Sequence, residues 1–352
     1  MNKFKAFLKR KDIIFSAKRY GIDAMSAMAQ GLFCSLLIGT IINTLGTQFS
    51  LPFLNEIVGF ATSMSGPAMA CAIGYALKAP PLVLYSLLAV GASANSFGGA
   101  GGPLAVLFIA IIAAELGKAV SKETRIDLIV TPFVTIFSGV ALSALTAPYI
   151  GAAANAVGQF IKDTTVLHPF LMGIVVSVLV GIALTLPISS AAICRVFLLT
   201  GLAGGAAVAG CCAQMVGFAV MSFRENGVGG LLSQGIGTSM LQMGNIIKNP
   251  KIWIPPILTS AITGPLATCV FRLEMNGEAI ASGMGTCGLV GQIGVYTGWV
   301  NDIAAGTKTA ITAMDWAGLI LICFVLPAVL TWIFGQILRK IGWIKENDLK
   351  LD

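Results

Sequence analysis

An all-α, polytopic membrane fold follows from three features of the 352-residue sequence. First, apolar residues make up 56% and charged residues only 11%, against roughly 25% charged in soluble domains; the mean hydropathy is +0.88. Second, several apolar stretches reach the roughly 20 residues that cross a bilayer as a helix. They are continuous rather than alternating, which favours helices over a β-barrel. Third, glycine is frequent, 41 of 352 residues. In membrane helices this permits close backbone approach and interrupted helices.

A short motif recurs about half a chain apart. Residues 59–64 read GFATSM and residues 235–240 read GIGTSM. Each is followed by a Pro-Pro pair, Pro80-Pro81 and Pro255-Pro256, and then by a Gly-rich stretch, SFGGAGGPL (96–104) and SGMGTCGL (282–289). This pattern predicts two related halves, about 21–165 and 166–340, each with a broken segment. Such halves are the build of membrane proteins that bind cargo between repeats.

In chain order, residues 1–20 form a basic amphipathic segment suited to the cytoplasmic lipid surface. Phe4, Phe7, Leu8, Ile14 and Phe15 share helical spacing there, among Lys5, Lys9, Arg10, Lys11, Lys18 and Arg19. The length of this polar stretch, and the full-span apolar run after it, argue against a cleavable signal. About ten spans are predicted, at 21–45, 57–78, 80–96, 103–120, 126–149, 169–190, 201–222, 230–247, 252–271 and 314–338. Segment 278–299, with Gly283, Gly285, Gly288, Gly291 and Gly294, is expected to dip in and return as a re-entrant hairpin. Residues 21–340 are thus one transmembrane domain, and 341–352 a cytoplasmic tail.

Charge placement gives the orientation. Seven of the 22 basic residues lie in the first 19 positions, which predicts a cytoplasmic N-terminus. Lys78, the 118–125 loop, Arg195, Lys248, Lys251 and the basic residues from Arg339 onward fall on the same side. The net charge of +7 is therefore a topology signal, and no nucleic-acid partner is expected.

No assembled catalytic set is visible. His168 is the single histidine, no G-x-S-x-G elbow occurs, and GKAV (117–120) lacks the upstream glycine of a P-loop. The eight cysteines, including the vicinal Cys211-Cys212, sit in apolar sequence without a C-x-x-C pair and read as small core residues. No metal, cofactor or lone enzymatic activity is expected. Glu115, Arg272 with Glu274, Arg224 with Glu225, and Glu56, Asp127 and Asp315 read as interface charges.

The candidate binding residues are polar side chains inside apolar segments. They are Thr62, Ser63 and Asn95 in the first module, Gln214 in the seventh span, Thr238, Ser239, Gln242 and Asn245 in the eighth, and Thr286 and Gln292 in the hairpin, with Glu278 at its mouth. Buried amides and hydroxyls need partners, and a polyhydroxylated solute would supply them. Hydrogen bonds between helices or back to the backbone would satisfy them equally. Thr238, Gln242 and Asn245, at i, i+4 and i+7, are expected on one face of one helix.

The stretches GIGTSMLQMGNIIKNPKIWIPP (235–256) and GMGTCGLVGQIGVYTGW (283–299) resemble the sugar-translocating IIC subunits of the bacterial phosphoenolpyruvate-dependent phosphotransferase system. The subgroup includes members of the perfringolysin-regulator type. The resemblance covers about 15–340. It implies a IIC-like fold in the plasma membrane, a polar solute such as a sugar, separate IIA and IIB phosphoryl donors, and a homodimer in membrane lipid. One departure is plain: the hairpin carries Gly285-Thr286-Cys287-Gly288, with no acid and no Gly-Ile-Thr-Glu-Pro-like motif. The expected activity is permeation by alternating access; the alternatives are a non-transporting membrane sensor and a lipid or cell-wall-precursor translocase.

Overall fold

The computed structural model describes residues 3–48 and 51–351. The chain divides by internal packing into two units, Met1–Ile42 with Pro52–Ala153 and Asn43–Leu51 with Ala154–Asp352. Six helices among the described residues are long and apolar enough to cross a membrane: Lys18–Asn43, Pro81–Val120, Asp127–Thr164, Gly201–Met221, Pro250–Val270 and Ala313–Lys340. A seventh is the pair Pro52–Ser63 and Ser65–Ala76, bent by 47°, if it counts as one broken span. The expected count of about ten is not confirmed. The predicted segment 169–190 is a shorter apolar helix, Pro169–Thr185, and 230–247 is not one helix at all.

The first unit begins with α1 (Lys3–Arg10) and the helical run α2 (Lys18–Asn43). The side chain of Phe4, placed on the apolar face of α1, lies outside the described residues. After α1 the chain is fastened to the 118–125 loop. Arg10 Nη2 meets Glu123 Oε1 at 2.7 Å, and Lys11 pairs with Glu123 and donates to the Ser121 carbonyl. Lys11, with Arg10, holds the Glu123 carboxyl below its usual range. The Arg19 guanidinium does the same for Asp12. Lys118 is only 2% exposed; its ammonium donates to the carbonyls of Asp12 (2.7 Å) and Leu77 (3.0 Å) and faces Glu115. A lysine buried this far from water needs such partners.

Helices α3 (Pro52–Ser63) and α4 (Ser65–Ala76) are separated by a bend at Met64. Helix α5 (Pro81–Gly98) starts on the second proline of the Pro80-Pro81 pair, at a position whose N–H no helical turn would use. Gly99, at φ 51° and ψ −120°, turns the chain into α6 (Gly102–Val120); that backbone conformation is accessible to glycine. Helices α5 and α6 pack on each other and on α4, so the Pro81–Val120 run is a hairpin of two helices. The 38-residue α7 (Asp127–Thr164) follows, with Pro132 and Pro148 inside it.

The second unit is built around α10 (Gly201–Met221). Helices α8 (Pro169–Thr185), α13 (Pro250–Val270) and α15 (Ala313–Lys340) pack on it. Helix α10 is buried along nearly its whole length, which explains its composition. Small residues let neighbouring backbones come close, as membrane helix packing requires. Between these helices lie α9 (Ser190–Val196), α11 (Phe223–Leu232), α12 (Met243–Lys248) and α14 (Val290–Ala304). The predicted pair Arg224 and Glu225 is not a local unit: Glu225 reaches across to Arg339 at 2.6 Å, at the far end of α15.

Candidate functional site

Both T-S-M copies fall where a helix breaks. In the first, the break is the bend at Met64 between α3 and α4. In the second, α11 passes into a wide turn, Ser233–Gly237, and Thr238 is extended at φ −159° and ψ 144°. A 3-10 turn, Ser239–Gln242, precedes α12. The helix face expected to carry Thr238, Gln242 and Asn245 therefore does not form. Three glycines (Gly229, Gly230 and Gly235) within seven residues weaken helix propagation there, and the extended Thr238 takes it out of register with the two amides.

The Gly-rich segment 278–299 is also broken. Two short turns, Ala279–Gly283 and Cys287–Leu289, precede α14. Gly285 has φ +55°, and a Cβ there would stand 2.6 Å from Cys211 Cβ and 2.9 Å from the Cys211 carbonyl carbon. Glycine is thus required at 285 by conformation and by the approach of α10. The turn at 233–237 and the turn at 287–289 touch each other, and the segments around them pack on α10. Two irregular segments meeting one buried helix place polar backbone and side chains at depth.

At this junction Gln214, 0% exposed, is the central residue. Trp253 Nε1 donates to Gln214 Oε1 at 2.8 Å, and Thr185 Oγ1 lies 3.2 Å from the same oxygen. Thr185 and Ser239 hydroxyls are 2.8 Å apart. If Thr185 gives its proton to Gln214, Ser239 supplies the one shared with Thr185. An indole N–H can only donate, so the carboxamide oxygen must face Trp253. Gln214 Nε2 then points elsewhere, buried and without a hydrogen-bond partner. On another side of α10, Gln292 Nε2 contacts Cys212 Sγ at 3.2 Å while Gln292 Oε1 is buried without a partner. Thr286 donates to Met215 Sδ at 3.6 Å.

The other candidates are placed differently. Thr62 and Ser63 return their hydroxyls to Val58 and Phe60 carbonyls of α3. Asn95 donates to Ser65 Oγ at 3.2 Å, tying α5 to the start of α4. Thr238 Oγ1 accepts from Met240 N. Glu278 is exposed at the mouth of the turn.

Gln242 and Asn245 hold the C-terminal segment. Gln242 Nε2 donates to Gln234 Oε1 and to the Leu349 carbonyl, both at 2.9 Å. Asn245 Nδ2 donates to Gln242 Oε1 and to the Lys350 carbonyl, both at 2.8 Å. Asn226 clasps the same segment through Leu349 O and Leu351 N. Leu349 is fully buried. Each such bond contributes about 1 kcal/mol. Gln242→Ala together with Asn245→Ala is therefore expected to release residues 343–351, read as faster amide exchange there with α8 and α10 unchanged. Exchange unchanged in the tail would show that these amides do not hold it.

Thr185 and Trp253 are the site residues that sequence reasoning passed over. Thr185 is, with Ser177, one of two hydroxyls in an apolar run, and Trp253 stands just before Pro255-Pro256; neither signal separates a ligand contact from an ordinary helix contact. Among the described residues no group of three His, Cys, Asp or Glu side chains is arranged to hold a metal ion. Residues 22–351 match the family model described as "Phosphotransferase system, EIIC". No curated protein and no solved structure matches the chain.

Proposed function

Because the chain belongs to the phosphotransferase-system EIIC family, matched over residues 22–351, we propose that it is a permease for a small polyhydroxylated solute, a sugar or sugar alcohol. Its many apolar helices make it a multi-pass membrane protein. The proposed cargo site is the junction on α10, with Gln214, Thr185, Ser239 and Trp253 on one side and Gln292 and Thr286 on another. Separate IIA and IIB proteins would supply phosphoryl groups, and alternating access would move the solute.

The observation that carries this reading is the unpartnered Nε2 of Gln214. A buried donor left unsatisfied costs about 1–3 kcal/mol. A sugar hydroxyl accepts from it and keeps a proton to give to a further acceptor. The flanking breaks at 233–242 and 279–289 offer points where the packing around α10 can shift without breaking a regular helix.

The test is ligand-induced thermal stabilisation of the detergent-purified protein, followed by uptake of the binding sugar into proteoliposomes. Ligand at 100 times its Kd stabilises by about 2.7 kcal/mol. One sugar class is expected to stabilise the protein. Gln214→Leu is expected to weaken that binding at least about tenfold, or 1.4 kcal/mol. Equal stabilisation of both proteins would remove Gln214 from the site, and stabilisation without uptake would favour a sensor.

A further inference from the structure

A cavity of about 480 Å³ lies at the other end of the second unit, where the loop after α13, the end of α14 and the start of α15 meet. That volume is in the range of small-molecule sites, about 300–1,000 Å³. Gly201, at the start of α10, pairs with Met275 beside this cavity. Gln214 is thirteen residues further along α10, roughly 20 Å at 1.5 Å per residue. The cavity is thus separate from the cargo site proposed above.

Its floor is aromatic and its rim alternates donors with acceptors. Trp299 is 3% exposed and packs edge-on against Trp316, with ring centroids 5.6 Å apart. The Trp299 side chain lines the cavity. Asn276 Nδ2 donates to Asp302 Oδ2 at 2.8 Å and to Glu274 Oε2 at 3.1 Å. Lys308 Nζ meets Asp315 Oδ1 at 2.8 Å and stands 5.9 Å from the Trp299 ring centroid. Arg272, exposed on the rim, has φ 46°, a conformation uncommon for a residue with a side chain and concentrated at functional sites.

We propose that this cavity is a second saccharide site, occupied before or after the solute reaches Gln214. The chemistry selects the ligand class. Arg272 and Lys308 oppose a simple cation, and Glu274, Asp302 and Asp315 oppose a simple anion. Sugar hydroxyls both donate and accept, so they match a rim that offers both. The part of Trp299 that lines the cavity adds an apolar contact for the C–H groups of a pyranose. The inference rests on the proposed cargo class for the choice of probes.

The test follows tryptophan fluorescence of the detergent-purified chain titrated with hexoses, hexitols and disaccharides, with equilibrium binding of the radiolabelled sugar in parallel. A quench is expected that survives Gln214→Leu and shifts at least tenfold to higher sugar in both Asp302→Asn and Trp299→Phe. Asp302→Asn is nearly isosteric, and a single size-exclusion peak shows that it folds. A quench lost in Gln214→Leu but unchanged in Asp302→Asn overturns the second site and leaves the first intact. Sugar binding absent from all four proteins overturns both.

Discussion

Arg339→Met is expected to destabilise the protein by about 3–5 kcal/mol, the usual effect of removing one partner from a buried ion pair. The Glu225 side chain is only 3% exposed and that of Arg339 15%. The pair is short, 2.6 Å, and Arg339 also reaches the Met221 carbonyl at 3.3 Å. Glu225 Oε2 and Arg339 Nε are buried without partners, so nothing else stands ready to neutralise the Glu225 carboxylate when Arg339 is lost. Methionine keeps most of the volume and leaves the Glu225 carboxylate uncompensated. The readout is the thermal midpoint in detergent. Glu225→Gln combined with Arg339→Met is expected to recover most of the loss, since no charge is then stranded. A double variant as unstable as Arg339→Met alone would show that the arginine acts through packing rather than charge.

Gly210→Val is expected to prevent assembly of the second unit. Gly210 sits on α10 where it crosses α8, and a Cβ there would stand 2.7 Å from Ser177 Cα and nearer still to its carbonyl. The obstacle is backbone, which cannot rotate away. Ser177 is itself held, donating to the Ser260 carbonyl of α13 at 2.7 Å. Overpacking usually costs about 1–3 kcal/mol, and a collision with a fixed backbone lies at or above that range. The expected result is aggregated material on size exclusion. Gly235→Val is the control: a Cβ there meets only Ala219 Cβ at 3.5 Å. Monodisperse Gly210→Val with an unchanged thermal midpoint would show that α8 and α10 can separate at little cost.

The two variants mark where sequence reading stops. The sequence flagged Arg224 and Glu225 as neighbours, yet Glu225 pairs with a residue 114 positions away. It placed Gln242 and Asn245 with Thr238 on one face of one helix, yet that helix does not form and both amides bind carbonyls of residues 349 and 350. In contrast, Gln214 was picked out as an amide in an apolar run, and it is the buried amide with a free donor. The two T-S-M copies were picked out as special segments, and both lie at helix breaks.

Membrane class and helical build were legible because they depend on each residue singly. An apolar run of span length must bury or satisfy its own backbone, and a helix does so locally. The breaks were legible for a similar reason, since Gly, Pro and Thr-Ser clusters act on the backbone within a few residues. Partnership was not legible. Which carbonyl Asn245 meets, which acid Arg339 neutralises and which hydroxyl stands beside Gln214 depend on distances between residues 29 to 114 positions apart. Those distances are set only when α8, α10, α13 and α15 pack, because a hydrogen bond or ion pair forms within about 3–4 Å and local sequence carries no information at that range.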